Sequence, residues 1–406
     1  IVILFIHDGS PETDWILPVI YKLKKNHKIF TYFKSFKSFN SLKNNKDLFA
    51  LRKDITDEYY IEKSINCFFW KIIRKASNLL NIKNIIFDKF LILKIHDVEK
   101  LKTKLEKVFK INDPKVKYIF SSFSRNSGWT LNYKSTFKDS KLIHYPDSTW
   151  NYCFRKKYKN KILSHKFILR GDLLLLANKE TIPFCKNLID KKKIIICGTP
   201  KYDSFWKKIL LKNVNKNLDF KYSLIKKKYV IIFAYTSFFD LYKNVNEKLH
   251  IQLFDIMSTI LNFKNIILIF KIHPRANIDK YLITLNKFDK SKWIISKNHI
   301  MNLASISNCF LHTPLTSTIT DALSLALPTI EIWDSSNKIY RNERKIFDDE
   351  GLTNKVKNKN QLKNFLKKTI YKRNKNLLSK KIIRFQKIYK PNSGSVNFII
   401  KTLKNA

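Results

Sequence analysis

IILIFKIHPRANIDKY, Ile266 to Tyr281, is the stretch that settles the class of fold. Six apolar residues are interrupted once, by Lys271, and the run then stops at His273, Pro274 and Arg275. An apolar run without the alternation of a half-solvated strand is what a strand buried on both faces requires. Pro274 lacks the N–H that a further ladder bond needs, so pairing ends there, and its rigid turn aims His273 and Arg275 past the sheet edge.

The same pattern recurs along the chain. IVILFI (1–6), KNIIFD (83–88), VKYIFSS (116–122), KLIHYP (141–146), DLLLLAN (172–178) and KIIICGTP (193–200) read as strands, with helical stretches such as ETDWILPVIYKLKKN and VEKLKTKLEKVFK between several of them. A second series starts at KKYVIIFAYT (227–236) and continues through KNIILIFKIHP, KWIISK, SNCFLHT and LPTIEIWD. Apolar strands alternating with helices predict parallel sheets covered on both faces, and two series predict an α/β protein of two doubly wound, Rossmann-like domains. The polar, lysine-rich stretch around 210–228 divides them. The expected division is residues 1–212, a linker over 213–228, a second domain over 229–375, and a basic helical segment over 376–406. That last segment has two readings: helices packed across both domains, or an amphipathic surface for an anionic membrane.

Composition narrows the function. The chain has 406 residues, 44% of them apolar, which is enough for more than one core. Lys and Arg number 79 against 32 Asp and Glu, a net charge of +47 that attracts polyanions. The lysines form no single block and no nucleic-acid-binding module is recognisable, so compositional bias with a membrane or substrate benefit is the favoured cause, and nucleic acid is disfavoured as a partner. The five cysteines are widely spaced, with no CxxC pair, which fits a reducing cytoplasm and neither a zinc site nor a disulfide framework. No apolar run approaches the roughly 18 residues that would span a bilayer. The expected location is therefore cytoplasmic, with a peripheral association at the inner face of the membrane. The six glycines are too scattered for a GxGxxG or Walker A loop, so a phosphate must be held without one. There is no Asp-x-Asp pair, the usual sequence sign of a metal-bridged diphosphate; neither a metal nor a cofactor is expected.

In an open parallel sheet, ligands bind beyond the carboxyl ends of the strands. Three polar groups of the second series stand at such ends: Ala234–Ser237, which contains Thr236 and Ser237; His273–Arg275; and His312–Leu323. In the last, Pro314 breaks the strand, and Thr316, Ser317 and Thr318 precede the periodic run Ile319, Ala322, Leu323, Ala326. Hydroxyls and unpaired backbone N–H groups at a helix start, aided by the helix dipole, hold a phosphate without glycine. The competing reading is simple capping, because Ser and Thr are preferred N-caps. Asp321 likewise has two readings, a partner for a ribose hydroxyl or an acid favoured in a first helical turn. His273 can donate a hydrogen bond to a departing phosphate, worth about 1.5–3 kcal/mol when charge-assisted.

These motifs resemble the C-terminal half of GT-B glycosyltransferases that build bacterial surface polymers, in particular the CDP-glycerol glycerophosphotransferase family and the HP-motif capsule enzymes, including polysialyl and Kdo transferases. KIHP resembles the HP motif, and TPLTSTITDALSLALPTIEIW resembles the family's hydroxyl-rich helix start, acid and following strand. CGTPKYDSFW (197–206) is similar to a GxPRxD segment with Lys201 in place of arginine, and YVIIFAYTS to an ILYAPT strand with Tyr235 in place of proline. The likeness covers roughly residues 190–335. It implies a nucleotide-activated sugar or polyol donor on the second domain and a glycan or lipid-linked acceptor on the first. Carried over, His273 contacts the donor phosphate and assists the leaving nucleotide, and Thr316, Ser317 and Thr318 cradle phosphate oxygens.

A general base must reach the acceptor hydroxyl across the cleft. The acidic triplet of the related sialyl-polymer enzymes does not occur in this chain. Asp147, in YPDSTWNY, and Asp8, in HDG, are the two candidates. The competing readings are an Asx-turn for Asp147 and, for Asp8–Glu12, a helix start with a Ser cap, Pro at the first position and an acid in the first turn. The expected activity is thus a metal-independent transferase acting on a nucleotide-activated donor. A UDP-sugar 2-epimerase-like enzyme and a non-catalytic polyanion-binding protein are the alternatives.

Overall fold

The computed structural model describes residues 1–7, 9–61, 98–122, 136–146, 171–179, 189–212, 214–235, 246–273, 278–313, 316–332, 351–371, 375–389 and 394–405, with the single residues 134 and 182. Their strands form two wholly parallel sheets. The first contains β1 (Val2–Ile6), β2 (Ile29–Phe33), β3 (Glu58–Ile61), β4 (Tyr118–Ser122), β5 (Lys141–Tyr145), β6 (Leu173–Leu176) and β7 (Ile194–Ile196), in the order β3-β2-β1-β4-β5-β6-β7. The second contains β8 (Tyr229–Tyr235), β9 (Ile266–Ile272), β10 (Trp293–Ile295), β11 (Cys309–His312), β12 (Thr329–Ile332) and β13 (Asn354–Val356), in the order β10-β9-β8-β11-β12-β13. Both orders run outward from the first strand of the series, then restart on its other side. Each domain is therefore a doubly wound Rossmann-like unit with a switch point, between β1 and β4 in the first and between β8 and β11 in the second.

The helices that matter here are α1 (Ser10–Leu23), α2 (Phe36–Lys43), α3 (Lys46–Ile55), α4 (Val98–Phe109), α5 (Ser204–Leu211), α6 (Asn246–Leu261), α7 (Asp279–Leu285), α8 (Ile300–Ser305), α9 (Ile319–Ser324), α10 (Lys359–Tyr371), α11 (Lys375–Tyr389) and α12 (Ser395–Asn405). Each central strand sends alternate residues to two different cores, because side chains alternate across a sheet. In β1, Val2, Leu4 and Ile6 face one core while Ile3 and Phe5 face another. In β8, Val230, Ile232 and Ala234 face the first of these cores, and Ile231 and Phe233 face a third. One apolar core is thus continuous through both domains, filled between the sheets by α1, α5, α8, α9, α11 and α12. Burying a Leu, Ile or Phe side chain contributes about 1.5–3 kcal/mol. A merged core therefore couples the domains more strongly than a polar contact would.

The apolar runs that fall on described residues each form a strand, while β2, β3 and β13 arise where no run was read; KNIIFD (83–88) lies outside the described residues. Helices α1 and α4 also coincide with the periodic stretches. The start of α1 differs by one residue from the capping pattern. Gly9, at φ +96°, is the N-cap, and the Glu12 carboxylate accepts its N–H at 2.8 Å. A side chain is excluded at Gly9: a Cβ there would lie 2.4 Å from the Ser38 carbonyl oxygen. Glycine lets the chain turn out of β1 while lying against α2.

The last helices return the chain to its beginning. α11 packs on α9 of the second domain, and α12 packs on α1 of the first. Val396, Ile399 and Leu403 are buried there, and the Tyr118 hydroxyl donates to the Leu403 carbonyl at 3.1 Å.

Candidate functional site at the domain junction

The carboxyl edges of the two sheets are stitched together. The Lys46 N–H, at the start of α3, donates to the Lys297 carbonyl at 3.1 Å. The neighbouring Asp47 carboxylate accepts from the Asn298 amide nitrogen at 3.1 and 3.2 Å and from the His299 N–H at 2.5 Å. These bonds join the helices that follow β2 to the turn that follows β10.

Beside them lies a buried ionic cluster that runs through the segment between β7 and α5. Lys201 donates to Asp14 of α1 at 2.9 Å and to Asp321 of α9 at 2.7 Å. His299 Nε2 meets the other oxygen of Asp14 at 3.0 Å. The Tyr202 hydroxyl reaches Thr320 at 2.5 Å and Asp321 at 3.0 Å. Asp203 turns the other way and accepts the N–H groups of Ser395 and Val396, at 3.1 and 2.8 Å. Three consecutive residues thus hold α1, α9 and the first turn of α12. An ammonium shared by two carboxylates offsets the several kcal/mol per ion that burial costs, provided the remaining lone pairs are also satisfied.

The environment sorts the titrating groups. Burial would raise Asp14, but the charges and hydrogen bonds of Lys201 and His299 override it and hold the carboxyl well below its usual range. Asp321 goes up, through burial first and the nearby Asp14 charge, with Lys201 offsetting part. Burial works against the charged forms of Lys201 and His299, yet Asp14 and Asp321 carry both above their ordinary values. Tyr202 is pushed up by burial and by Asp321. Asp14, His299 and Asp321 also bring potential metal-ligand atoms within 4.8 Å of one another. The cation in that space is the protein's own, because Lys201 bridges both carboxylates.

Of the residues expected to bind donor phosphate, Thr316, Ser317, Thr318 and Asp321 fall within the described structure, as does His273. Thr236, Ser237, Arg275, Asp147 and Asp8 lie outside the described residues. Thr316 and Thr318 pair their hydroxyls at 2.8 Å, and Thr318, the N-cap of α9, makes no side-chain capping bond. Among the described residues, the N–H groups of Ser317 and Thr318 donate to no protein atom. Asp321 is 2% exposed and engaged by Lys201 and Tyr202. His273 is half-buried, one residue beyond β9. Only β8 separates β9 from β11, so the strands that lead to His273 and to the hydroxyl turn end at the same sheet edge, two strand spacings (about 10 Å) apart. In the first domain, His7 Nε2 meets the Ser121 hydroxyl at 3.0 Å across the β1–β4 switch point.

Lys201 is visible in the sequence as the altered member of the GxPRxD-like segment, where Tyr202 fills only the variable position, and Asp14 and His299 belong to no motif. Asp14 and His299 are 285 positions apart.

No protein-family model and no curated protein matches the chain. Solved structures do. The UDP-GlcNAc 2-epimerase of Methanocaldococcus jannaschii, in complex with UDP-GlcNAc and UDP, is 17% identical with a TM-score of 0.58, covering 100% of both chains. The wall teichoic acid polymerase TagF is 14% identical with a TM-score of 0.58, over 100% of this chain and 88% of that one. The glycotransferase of kitacinnamycin is 9% identical with a TM-score of 0.56, over 99% and 98%. At these identities the likeness establishes the fold. The protein has the GT-B arrangement, two Rossmann-like domains in one chain.

Proposed function

We propose that this protein transfers a sugar or polyol-phosphate group from a nucleotide-activated donor to a surface or capsular glycan. The donor sits on the second domain and the acceptor on the first, at the inner face of the membrane. The observation that supports this best is the turn at Thr316–Thr318: its hydroxyls and N–H groups are not consumed by capping, and it stands at the switch-point edge where a phosphate would lie. Behind it, Thr320 and Asp321 are tied through Tyr202 and Lys201 to the first domain. The turn is therefore pre-positioned, which is what electrostatic stabilisation of a leaving phosphate requires.

In this reading His273 donates to the donor phosphate as the nucleotide leaves, with Thr316, Ser317 and Thr318 holding the phosphate oxygens and Thr236, Ser237 and Arg275 completing the donor side. Asp147 or Asp8 takes the proton of the attacking acceptor hydroxyl. Asp321 acts from behind by holding α9 in place. Leaving-group charge is carried by these protein groups, without a metal. A thermal-shift screen of CMP, CDP-glycerol, UDP-sugars and GDP-sugars identifies the donor, because a ligand stabilises the fold in proportion to its occupancy. With that donor, His273→Ala should lower turnover about 10²–10³-fold while the melting temperature holds. Unchanged turnover would rule the assignment out.

A second reading, a sugar-nucleotide 2-epimerase, is supported by the equal TM-score, 0.58, of the epimerase and polymerase structures. Incubation with donor alone separates the two: only the epimerase converts it without an acceptor.

A further inference from the structure

A groove of about 710 Å³ opens where α2 and α3 of the first domain meet the linker and the turn after β10. Its walls carry Lys43, Lys46, Lys221 and Lys297 against a single carboxylate, Asp219. That carboxylate is already committed, accepting the Ser296 hydroxyl at 2.7 Å and the Lys297 N–H at 2.6 Å. Behind the wall lies Lys271, the lysine that interrupts the apolar run of β9. It is 6% exposed and makes no hydrogen bond or ion pair within the described structure. It feels Asp219, Asp47 and Lys297 only at longer range, and both carboxylates are occupied by other donors. Four lysines therefore line a groove whose one carboxylate is already committed, with a fifth buried near them. Burial lowers Lys271 to about 8, with the two carboxylates offsetting part of that fall, so a bound anion here would also favour its charged form.

We propose that this groove binds an acidic glycan, a chain carrying carboxylates or phosphates at intervals. The cations are all lysines, mobile point charges that suit discrete anions along a flexible chain; the planar fork that reads bases or bidentate phosphates belongs to arginine. The aromatic wall also argues against nucleic acid. Of the two rings in that wall, Phe49 and Phe220, the first already faces the Arg52 guanidinium at 5.2 Å and the Lys53 ammonium at 4.9 Å, so at most one ring is left to stack on a base, short of a platform for successive bases. The groove lies at the same carboxyl edges as the switch points, displaced toward β2 and β10. A chain held there would lead into the cleft, but its binding requires no turnover, so it stands or falls separately from the transferase reading.

The test is direct titration, without nucleotide, of the full chain with an oligogalacturonate and, separately, with an oligothymidylate of equal charge. Lys43→Gln, Lys221→Gln and Lys297→Gln are combined in one variant. A control combines Lys363→Gln, Lys367→Gln and Lys368→Gln, three of the exposed lysines of α10. Lys46 is left intact because its ammonium holds the Asn217 carbonyl at 3.1 Å. The groove variant should lose about tenfold or more in affinity for the acidic oligosaccharide and show a shallower salt dependence, with the control within about twofold of the parent. Equal losses in both variants would mean that overall charge alone attracts the chain, and would overturn the site, as would an unaffected groove variant. Tighter, equally groove-dependent binding of the oligothymidylate would reassign the groove to nucleic acid and overturn the glycan.

Discussion

Lysine plays opposite parts in two places where the domains meet. At the junction, Lys201 stands between Asp14 and Asp321, with His299 on the far oxygen of Asp14, so two carboxylates face an ammonium and an imidazole. At the groove, four lysines share one carboxylate whose oxygens are already in use. The first arrangement is closed: each charge has its partner inside the protein. The second is open, and its charges look outward for partners. The contrast teaches that +47 is not one property of the surface but a sum over sites with different jobs.

The sharpest way to break the contrast is to neutralise a lysine of each kind. Lys201→Met removes a buried cation from between two carboxylates, and unfolding in urea should show a loss of about 3–5 kcal/mol, the usual cost of orphaning a buried charge. A loss under about 1 kcal/mol would mean that the cluster is solvated in solution.

A smaller effect comes from the pH dependence of the same cluster. His299 is lifted above its unfolded value by Asp14, through charge and hydrogen bond, with Asp321 adding and burial and Lys201 opposing. Its contribution to stability is therefore fully present below about pH 6.5 and is lost as pH rises through the folded value. Denaturation midpoints from pH 6 upward should fall accordingly, and His299→Gln should flatten that slope. An equally steep fall in the variant would place the titration elsewhere. Smallest of all, the combined groove substitutions at Lys43, Lys221 and Lys297 should move stability by no more than about 0.5 kcal/mol. A larger loss would show that those lysines are structural too.

What could be read from the sequence follows the range of the interactions involved. The apolar runs of β1, β8 and β9 are local signals, and they place two parallel sheets without any tertiary information. Strands β3 and β13 escape that reading because they sit at sheet edges, where partial exposure breaks the apolar run. Strand β2 escapes it because it carries Thr31, buried and bonded to the Thr56 hydroxyl at 2.9 Å. The hydroxyl-rich start of α9 was legible as a site or a cap, and Thr318 makes no side-chain capping bond. The ionic junction was not legible: Lys201 and Asp14 are 187 positions apart, and no periodicity links residues at such a distance. Asp321 shows the limit from the other side, since neither a ribose contact nor a helix-start acid anticipates an ion pair with a lysine from the segment between β7 and α5.

The capping of α12 by Asp203 has a consequence for how the molecule comes into being. The side chains that finish the core under α1 belong to the helix Ser395–Asn405, which the ribosome makes only after the whole second domain. The amino-terminal half must wait, part of its apolar surface uncovered, until that late segment arrives. Assembly in the cell is then governed by the slowest-arriving piece, with a window in which chaperones or aggregation compete for the unfinished half.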